Sequence, residues 1–356
     1  MTGPSVAEPH VAVYIDFDNV VISRYDQVHT HTRDAWRSDN ARRHAADEDS
    51  DDPIDVRLAT ARVDVGAILD YAASFGRVSL SRAYADWSVP ANAAYRHQLV
   101  DRAVDLTQLF PVSGTKNGAD IRLSVDAMED LGKYSDLTHV VLVAGDSDYI
   151  ALAQRCKQLG RYVVGIGVAG STSRALIAAC DEFSSYDALP GVTPAAEIQA
   201  EAQEAAAQEA AAQEAALQEA AVTEGGTSHE KAQAASAALA EVSRGVASGR
   251  IAAETPPPTR KRARKVAAEP SPEELRQRDA TNLLVRAIRI AQDRNDEDEW
   301  LFGGGVKSQM QRMDAGFKEK PLGYKTFTAF VESRSEVVES RVDPDDGQLR
   351  LRLRGR

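Results

Sequence analysis

Residues 10–20 read HVAVYIDFDNV, and residues 139–149 read HVVLVAGDSDY. In each, a run of Val, Ile, Leu and Ala stops at a pair of carboxylates, Asp16 and Asp18 in the first and Asp146 and Asp148 in the second. A near-continuous apolar run is the pattern of a strand buried on both faces of a parallel sheet. Open α/β sheets place their ligand sites at the carboxyl ends of such strands. The two stretches therefore predict two strands that deliver acid groups to one edge, where a divalent metal would fit.

Working outward, short β-branched runs alternate with longer amphipathic ones from His10 to Asp187, the signature of a parallel sheet flanked by helices. Strands are expected near 10–16, 77–85, 109–113, 138–144 and 161–167. Helices are expected near 63–75, 91–107, 119–132, 147–159 and 172–180. Gly160, after QRCKQL, reads as a helix C-cap. Residues 25–62 break this rhythm: rich in charge and poor in apolar periodicity, they read as an insertion with a mobile acidic tip at 47–55. His29 and His31 lie within it and read as solvated loop residues more readily than as metal ligands.

With 356 residues, the chain has room for two domains and a linker. The expected division is an α/β domain over 1–190, a linker over 191–270 and a small domain over 271–356. Lys and Arg number 42 against 54 Asp and Glu, a net charge of −12, with the excess acid concentrated before residue 190. That balance suits metal binding better than unaided contact with a phosphate backbone. The two cysteines, Cys156 and Cys180, have no partner at ligand spacing and read as core residues. The first residues carry no secretory signal pattern, and no stretch reaches the length of a membrane span. A cytoplasmic protein with no membrane association is expected.

The linker opens with an Ala/Gln/Glu repeat of high helix propensity at 196–221, then turns to Ala, Ser, Gly and Pro, a disordered pattern. It contains TRKRARK, whose Arg260, Lys261, Arg262, Arg264 and Lys265 form either a solvated basic run or an electrostatic tether for nucleic acid. SPEEL at 271–275 carries a capping-box signature. Three helices and two terminal strands joined by DPDDG then read as a winged helix-turn-helix. In RLRLR, Leu351 and Leu353 can face inward while Arg350, Arg352 and Arg354 line the other face.

A third carboxylate cluster lies in TKNGADIRLSVDAMEDL. Asp120 sits at a helix start, just after Lys116 and Gly118. Asp126 is six residues on, rotated by roughly 240°, so the two cannot share one pocket; Asp126 reads as second-tier or surface. Carboxylates without nearby His or Cys select Mg²⁺ or Mn²⁺ over zinc. Such a centre suits hydrolysis of phosphate esters or diesters. One Asp at a strand end is often only a helix N-cap, but DFDN, KNGAD and GDSD together, all on one sheet edge, are far more specific.

These blocks, with VVLVAGDSDYIALAQRCKQLGRYVVGIGV and GSTSRALIAACDEF, resemble an NYN domain, a ribonuclease of PIN-like, Rossmann-like fold. The resemblance covers about residues 10–187 apart from the insertion. It implies that Asp16, Asp120, Asp146 and Asp148 form the metal cluster. It also implies that Asn19 orients water or substrate, Ser147 caps a helix beside the site, and Lys116 approaches phosphate. The family usually has a small residue or Gly after the first Asp; here Phe17 and Asp18 occupy that turn, which leaves open whether Asp18 is an added ligand or points away. The resemblance further implies endonucleolytic cleavage of RNA, leaving 5′-phosphate and 3′-hydroxyl ends. The C-terminal segment, through LLVRAIRIA, EWLFGGGVKSQMQRMDAGFKEKPLGYKTFTAFVES and the terminal ribbon, resembles a LOTUS, or OST-type helix-turn-helix, domain, which implies RNA or a protein as partner. Lys307, Lys318, Lys320 and Lys325 are the phosphate-contact candidates there. Phe327 reads as core.

Two other readings remain open at this point. DFDNV fits the nucleophile motif of a haloacid-dehalogenase-like phosphatase, with Asp16 attacking phosphate and Asp18 as acid/base. Alternatively, the chain binds RNA without cleaving it, as an adaptor.

Overall fold

The computed structural model describes residues 8–29, 34–110, 118–223, 271–293, 300–343 and 347–354. Their contacts group residues 1–200 with 271–356 and set 201–270 apart as a second unit. The first 190 residues build a six-stranded sheet from β1 (His10–Asp16), β2 (Arg77–Ala85), β3 (Asp105–Gln108), β4 (Leu137–Val143), β5 (Tyr162–Gly167) and β6 (Glu182–Ser185). Every pairing is parallel and the order is β3-β2-β1-β4-β5-β6. This is the expected α/β, PIN-like architecture.

Alternation along β1 explains why its sequence is apolar throughout. Val11, Val13 and Ile15 enter one core with helix α4 (Val65–Ala72) and helix α1 (Phe17–Val28). Ala12 and Tyr14 enter the other, against α7 (Gly118–Lys133) and α8 (Ile150–Gln158). Each such aliphatic side chain contributes roughly 1.5–3 kcal/mol by leaving water. A polar row locks α7 onto the sheet: the Tyr14 hydroxyl donates to Asp130 at 3.0 Å, the Tyr84 hydroxyl to Asp126 at 3.1 Å, and Arg82 pairs with Asp130 at 2.8 Å. Asp126 and Asp130 are four residues apart and so share one helix face. That anchoring sets where Asp120, at the helix start, projects.

Several expectations shift. The third strand lies at 105–108, ahead of the expected start at 109; Phe110, which made that run look apolar, is 78% exposed, and 111–113 lie outside the described residues. The long helix at 91–107 is two short ones, α5 (Pro90–Ala93) and α6 (Arg96–Asp101), followed by Ala103 at a φ of 54°. β6 was not anticipated. The insertion is folded: α1 runs on to Val28, and α2 (Ala35–Ser38) and α3 (Pro53–Thr60) pack around Tyr25, Val28, Ala35, Ala41, Leu58 and Ala61. Its acidic tip caps α3, with Asp52 accepting from the Ile54 amide at 2.8 Å, so it is not the mobile segment its charge implied. His29 stacks edge-on against Tyr25, with Nε2 2.9 Å from the Arg57 carbonyl oxygen. His31 lies outside the described residues. Gly160 does take the positive φ of a helix C-cap, 74°.

After α9 (Arg174–Ala179), helix α10 spans Ala195–Thr223. TRKRARK lies outside the described residues. Helices α11 (Pro272–Asp293), α12 (Gly303–Met313) and α13 (Phe327–Glu332) pack on an antiparallel sheet of β7 (Leu301–Phe302), β8 (Val338–Val342) and β9 (Leu349–Leu353), in the order β7-β9-β8. The capping box forms as expected: the Ser271 amide donates to Glu274 at 2.7 Å and the Glu274 amide to Ser271 Oγ at 3.2 Å. The third helix, α13, starts at Phe327 because Thr326 caps it, accepting from the Ala329 amide at 3.1 Å. Phe327 is buried, as expected.

The helical C-terminal region packs against α4 and α6. Asp70, only 1% exposed, is gripped by Arg102 at 2.8 Å and by Arg286. Arg312 donates to the carbonyl of Ala73 at the end of α4 (3.0 Å), and Arg102 to the carbonyl of Met313 at the end of α12 (2.9 Å). Each helix thus has its unsatisfied terminal carbonyl capped by an arginine from the other part of the chain, a favourable placement of cations at helix C-termini.

Candidate functional site

The sheet order reverses at β1 and β4, which are neighbours in register, Ile15 opposite Val143. A parallel sheet opens a crevice at such a switch point. Asp16, the last residue of β1, and Gly145–Asp146, just past β4, lie at this opening. Asn19 ties the two together: its Oδ1 accepts from the Gly145 amide at 3.1 Å. A Cβ on Gly145 would meet that oxygen at 3.2 Å and the Ser171 carbonyl oxygen at 3.4 Å, so the close approach of three segments favours glycine here.

Asp120, Asp146 and Asp148 converge, each offering a carboxylate oxygen within 4.8 Å of the others. Asp120 comes from the first turn of α7, where the helix dipole favours an anion. Asp146 Oδ1 accepts weakly from the Asp148 amide and from Ser147 Oγ, both at 3.3 Å, so it caps the turn while its carboxylate faces the cluster. Asp16 stands outside this group of three, at 4% exposure. Its Oδ2 accepts from the Tyr149 hydroxyl at 2.9 Å. The same hydroxyl also reaches Asp120. Tyr149, fully buried, therefore bridges the inner and outer carboxylates.

The electrostatics match a site arranged for a cation. Burial pushes the Asp16 carboxyl up to about 7, opposed by the Tyr149 hydrogen bond and reinforced by Asp120. Asp120 is raised by burial and then by Asp146 and Asp148, with the Tyr149 hydrogen bond opposing. Clustered carboxylates that resist ionising together are stabilised by a positive charge among them. The donors are all oxygen, which fits a hard divalent ion such as Mg²⁺ or Mn²⁺.

Other expected site residues lie elsewhere. Asp18 points into a separate network: it accepts from Asn92 Nδ2 and from the Asp86 amide at 3.2 Å, while Arg42 holds Asp86 at 2.7 Å. Asp126 is on the sheet-facing side of α7, bound by Tyr84 and by Arg122 at 2.9 Å. Lys116, Arg260, Lys261 and Arg262 lie outside the described residues. Lys307 is paired with Glu319 at 2.9 Å and lies over the Phe327 ring, whereas Lys325 is exposed. The sequence reading missed Tyr149 and Asn92. A buried tyrosine after GDSD carries the same signal as any core aromatic, and Asn92 lies 74 residues from the carboxylate it serves.

A second group among the described residues, His44, Asp52 and Asp55 in the insertion, has comparable spacing, but capping of α3 and Ser50 already engage its carboxylates. A cavity of about 1160 Å³ lined by residues such as Asp70, Arg102 and Arg286 lies away from the carboxylate cluster, which instead sits on the open sheet edge.

Comparison with known proteins places these features. The sequence model of the NYN domain matches residues 10–187, and that of the OST-HTH/LOTUS domain matches residues 274–349. No curated protein matches the chain significantly. Among solved structures, a crystal structure of a protein of unknown function from Vibrio parahaemolyticus is similar at 22% identity, covering 51% of this chain and 94% of that one with a TM-score of 0.36.

Proposed function

Because the chain belongs to the NYN family and carries an OST-HTH/LOTUS domain, we propose that it is a divalent-metal-dependent endoribonuclease acting on single-stranded RNA. The observation that carries this reading is the convergence of Asp120, Asp146 and Asp148 at the β1/β4 switch point. These three, with Asp16 behind them, would hold Mg²⁺ or Mn²⁺. A bound ion of that kind supplies an activated water and neutralises charge on the scissile phosphate.

The chain's own residues do the rest. Asn19 fixes the Gly145 turn and hence the direction of Asp146. Tyr149 holds Asp16 with a neutral donor, so the carboxylate is oriented without an added cation competing for the site. Ser147 and the Asp148 amide orient the outer carboxylate. The acidic surroundings repel a polyanion, so RNA has to be gathered by other parts of the chain: we assign this to Lys116, Arg260, Lys261, Arg262, Lys307 and Lys325, with the linker setting the local concentration. A protein partner at the LOTUS domain is the other possible occupant of that region.

The phosphatase alternative needs Asp18 beside Asp16 as acid/base, and the hydrogen bonds from Asn92 and the Asp86 amide hold Asp18 in another network. The test is cleavage of single-stranded RNA in Mn²⁺ by wild type and by Asp146→Asn. Cleavage by the first alone, with 5′-phosphate products, supports the assignment; equal cleavage by both, or by neither, refutes it.

A further inference from the structure

The antiparallel sheet of the C-terminal region is apolar on one face: Leu301, Val338 and Leu351 are buried, with Leu349 and Leu353 packed beside them. Alternation sends the intervening residues to the other face. Register there builds a small grid. Phe302 is opposite Arg350, which is opposite Arg341, and Arg352 is opposite Glu339. Trp300, one residue before β7, extends the second row beside Arg352.

The grid stacks planar groups on one another. The Arg350 guanidinium is 3.5 Å from the Phe302 ring centroid, and those of Arg341 and Arg352 are 4.1 and 4.7 Å from that of Trp300. Glu339 faces Arg352 at 2.7 Å and Arg354 at 3.8 Å, and Asp343 faces Arg350 at 3.4 Å. Among the described residues, three of the four arginines pair with these two carboxylates, in a chain whose net charge is −12. A sheet that already buries one face needs no aromatic residue on the wet one, yet Phe302 is 50% exposed. Stacking platforms set among cations are how proteins hold unpaired bases and their phosphates.

We propose that this outer face, Trp300, Phe302, Arg341, Arg350 and Arg352 with Arg354 at its edge, is a binding site for single-stranded nucleic acid. Bases stack on the two rings and on the guanidinium planes, and the arginine edges meet phosphate. The proposal rests on the RNA-directed reading above but uses none of its catalytic residues.

The test uses the full chain carrying Asp146→Asn, in EDTA, with a fluorescein-labelled single-stranded RNA followed by anisotropy. Phe302→Leu and Trp300→Leu are each expected to weaken binding roughly tenfold, as loss of one stacked base implies. Phe302→Tyr, which keeps a ring, should bind as the parent does. Arg352→Gln should lower the slope of log affinity against log salt by about one. Unchanged RNA affinity in the two leucine variants overturns the proposal; if they instead lose binding to polyglutamate, the face belongs to an acidic protein partner and the proposal likewise fails. Should a leucine variant not fold, the Arg352→Gln salt slope decides. Wild-type cleavage with unaffected leucine variants would leave the nuclease reading standing and this one fallen; the reverse pattern would separate them the other way.

Discussion

Replacing Asp16 with asparagine should make the metal-free protein more stable at alkaline pH, although the residue backs the three converging carboxylates of the proposed site. The Asp16 carboxyl is pushed from 3.8 up to about 7 by burial. The folded state therefore keeps a proton that the unfolded chain has already lost. Its contribution to stability is fully present below pH 3.8 and is lost as pH rises through 7. The whole loss is on the order of 4 kcal/mol, at about 1.4 kcal/mol for each tenfold change in acidity. Of that, about 2 kcal/mol falls between pH 5.5 and pH 8. Asparagine cannot ionise; its one oxygen accepts from the Asn19 amide, and its NH2 group donates to the Tyr149 hydroxyl, which is left to donate to Asp120. Urea denaturation in EDTA should thus show wild type losing about 2 kcal/mol more than Asp16→Asn over that interval. Asp120, raised in the same direction, leaves a residual slope in both. Saturating Mn²⁺ at pH 8 should restore wild type by a few kcal/mol, about 2.7 at a hundredfold excess over Kd, and restore the variant less. An identical pH dependence in the two proteins would refute the claim that Asp16 is held in a desolvated, proton-retaining site.

Tyr149→Phe should preserve the fold and weaken Mn²⁺ binding, because Asp16 and Asp120 lose their shared donor; a loss of roughly 1–3 kcal/mol corresponds to a Kd raised about fivefold to a hundredfold, and calorimetric titration showing an unchanged Kd would count against the bridge. Arg286→Ala removes one of the two arginines on buried Asp70 and should cost about 3 kcal/mol; if a cycle with Asp70→Asn gives additive losses in chemical denaturation, the contact contributes nothing. Ser271→Ala deletes the capping box and should lower stability by about 1 kcal/mol, read as a thermal shift; no shift means that α11 is held by packing alone.

Much of the site was legible in the chain because strand ends are legible. A run such as HVAVYID is apolar at every position only when both faces are covered, so its last residue is placed at the sheet edge before any contact is known. Where the pattern misled, a local signal competed with a tertiary one. The apolar look of residues 109–110 came from Phe110, which the fold leaves to solvent. Charge made residues 25–62 look unstructured, whereas Tyr25, Val28, Ala35, Leu58 and Ala61, scattered among the charges, are enough for a small core.

What the sequence by itself determined is the class of fold, the order of the strands' acidic ends, the capping box at Ser271 and the alternation in RLRLR, since periodicity and capping act over a few residues. Only the tertiary structure decided which carboxylates meet. Asp18 and Asp126 are as acidic and as near in sequence as their neighbours, but Asn92 and the Asp86 amide take one and Tyr84 the other. Asp120 joins Asp146 and Asp148 because Tyr14, Tyr84 and Arg82 anchor α7 at Asp126 and Asp130. The physical reason is that a local pattern fixes the face from which a side chain projects, while its partner is set by packing between segments far apart in the chain.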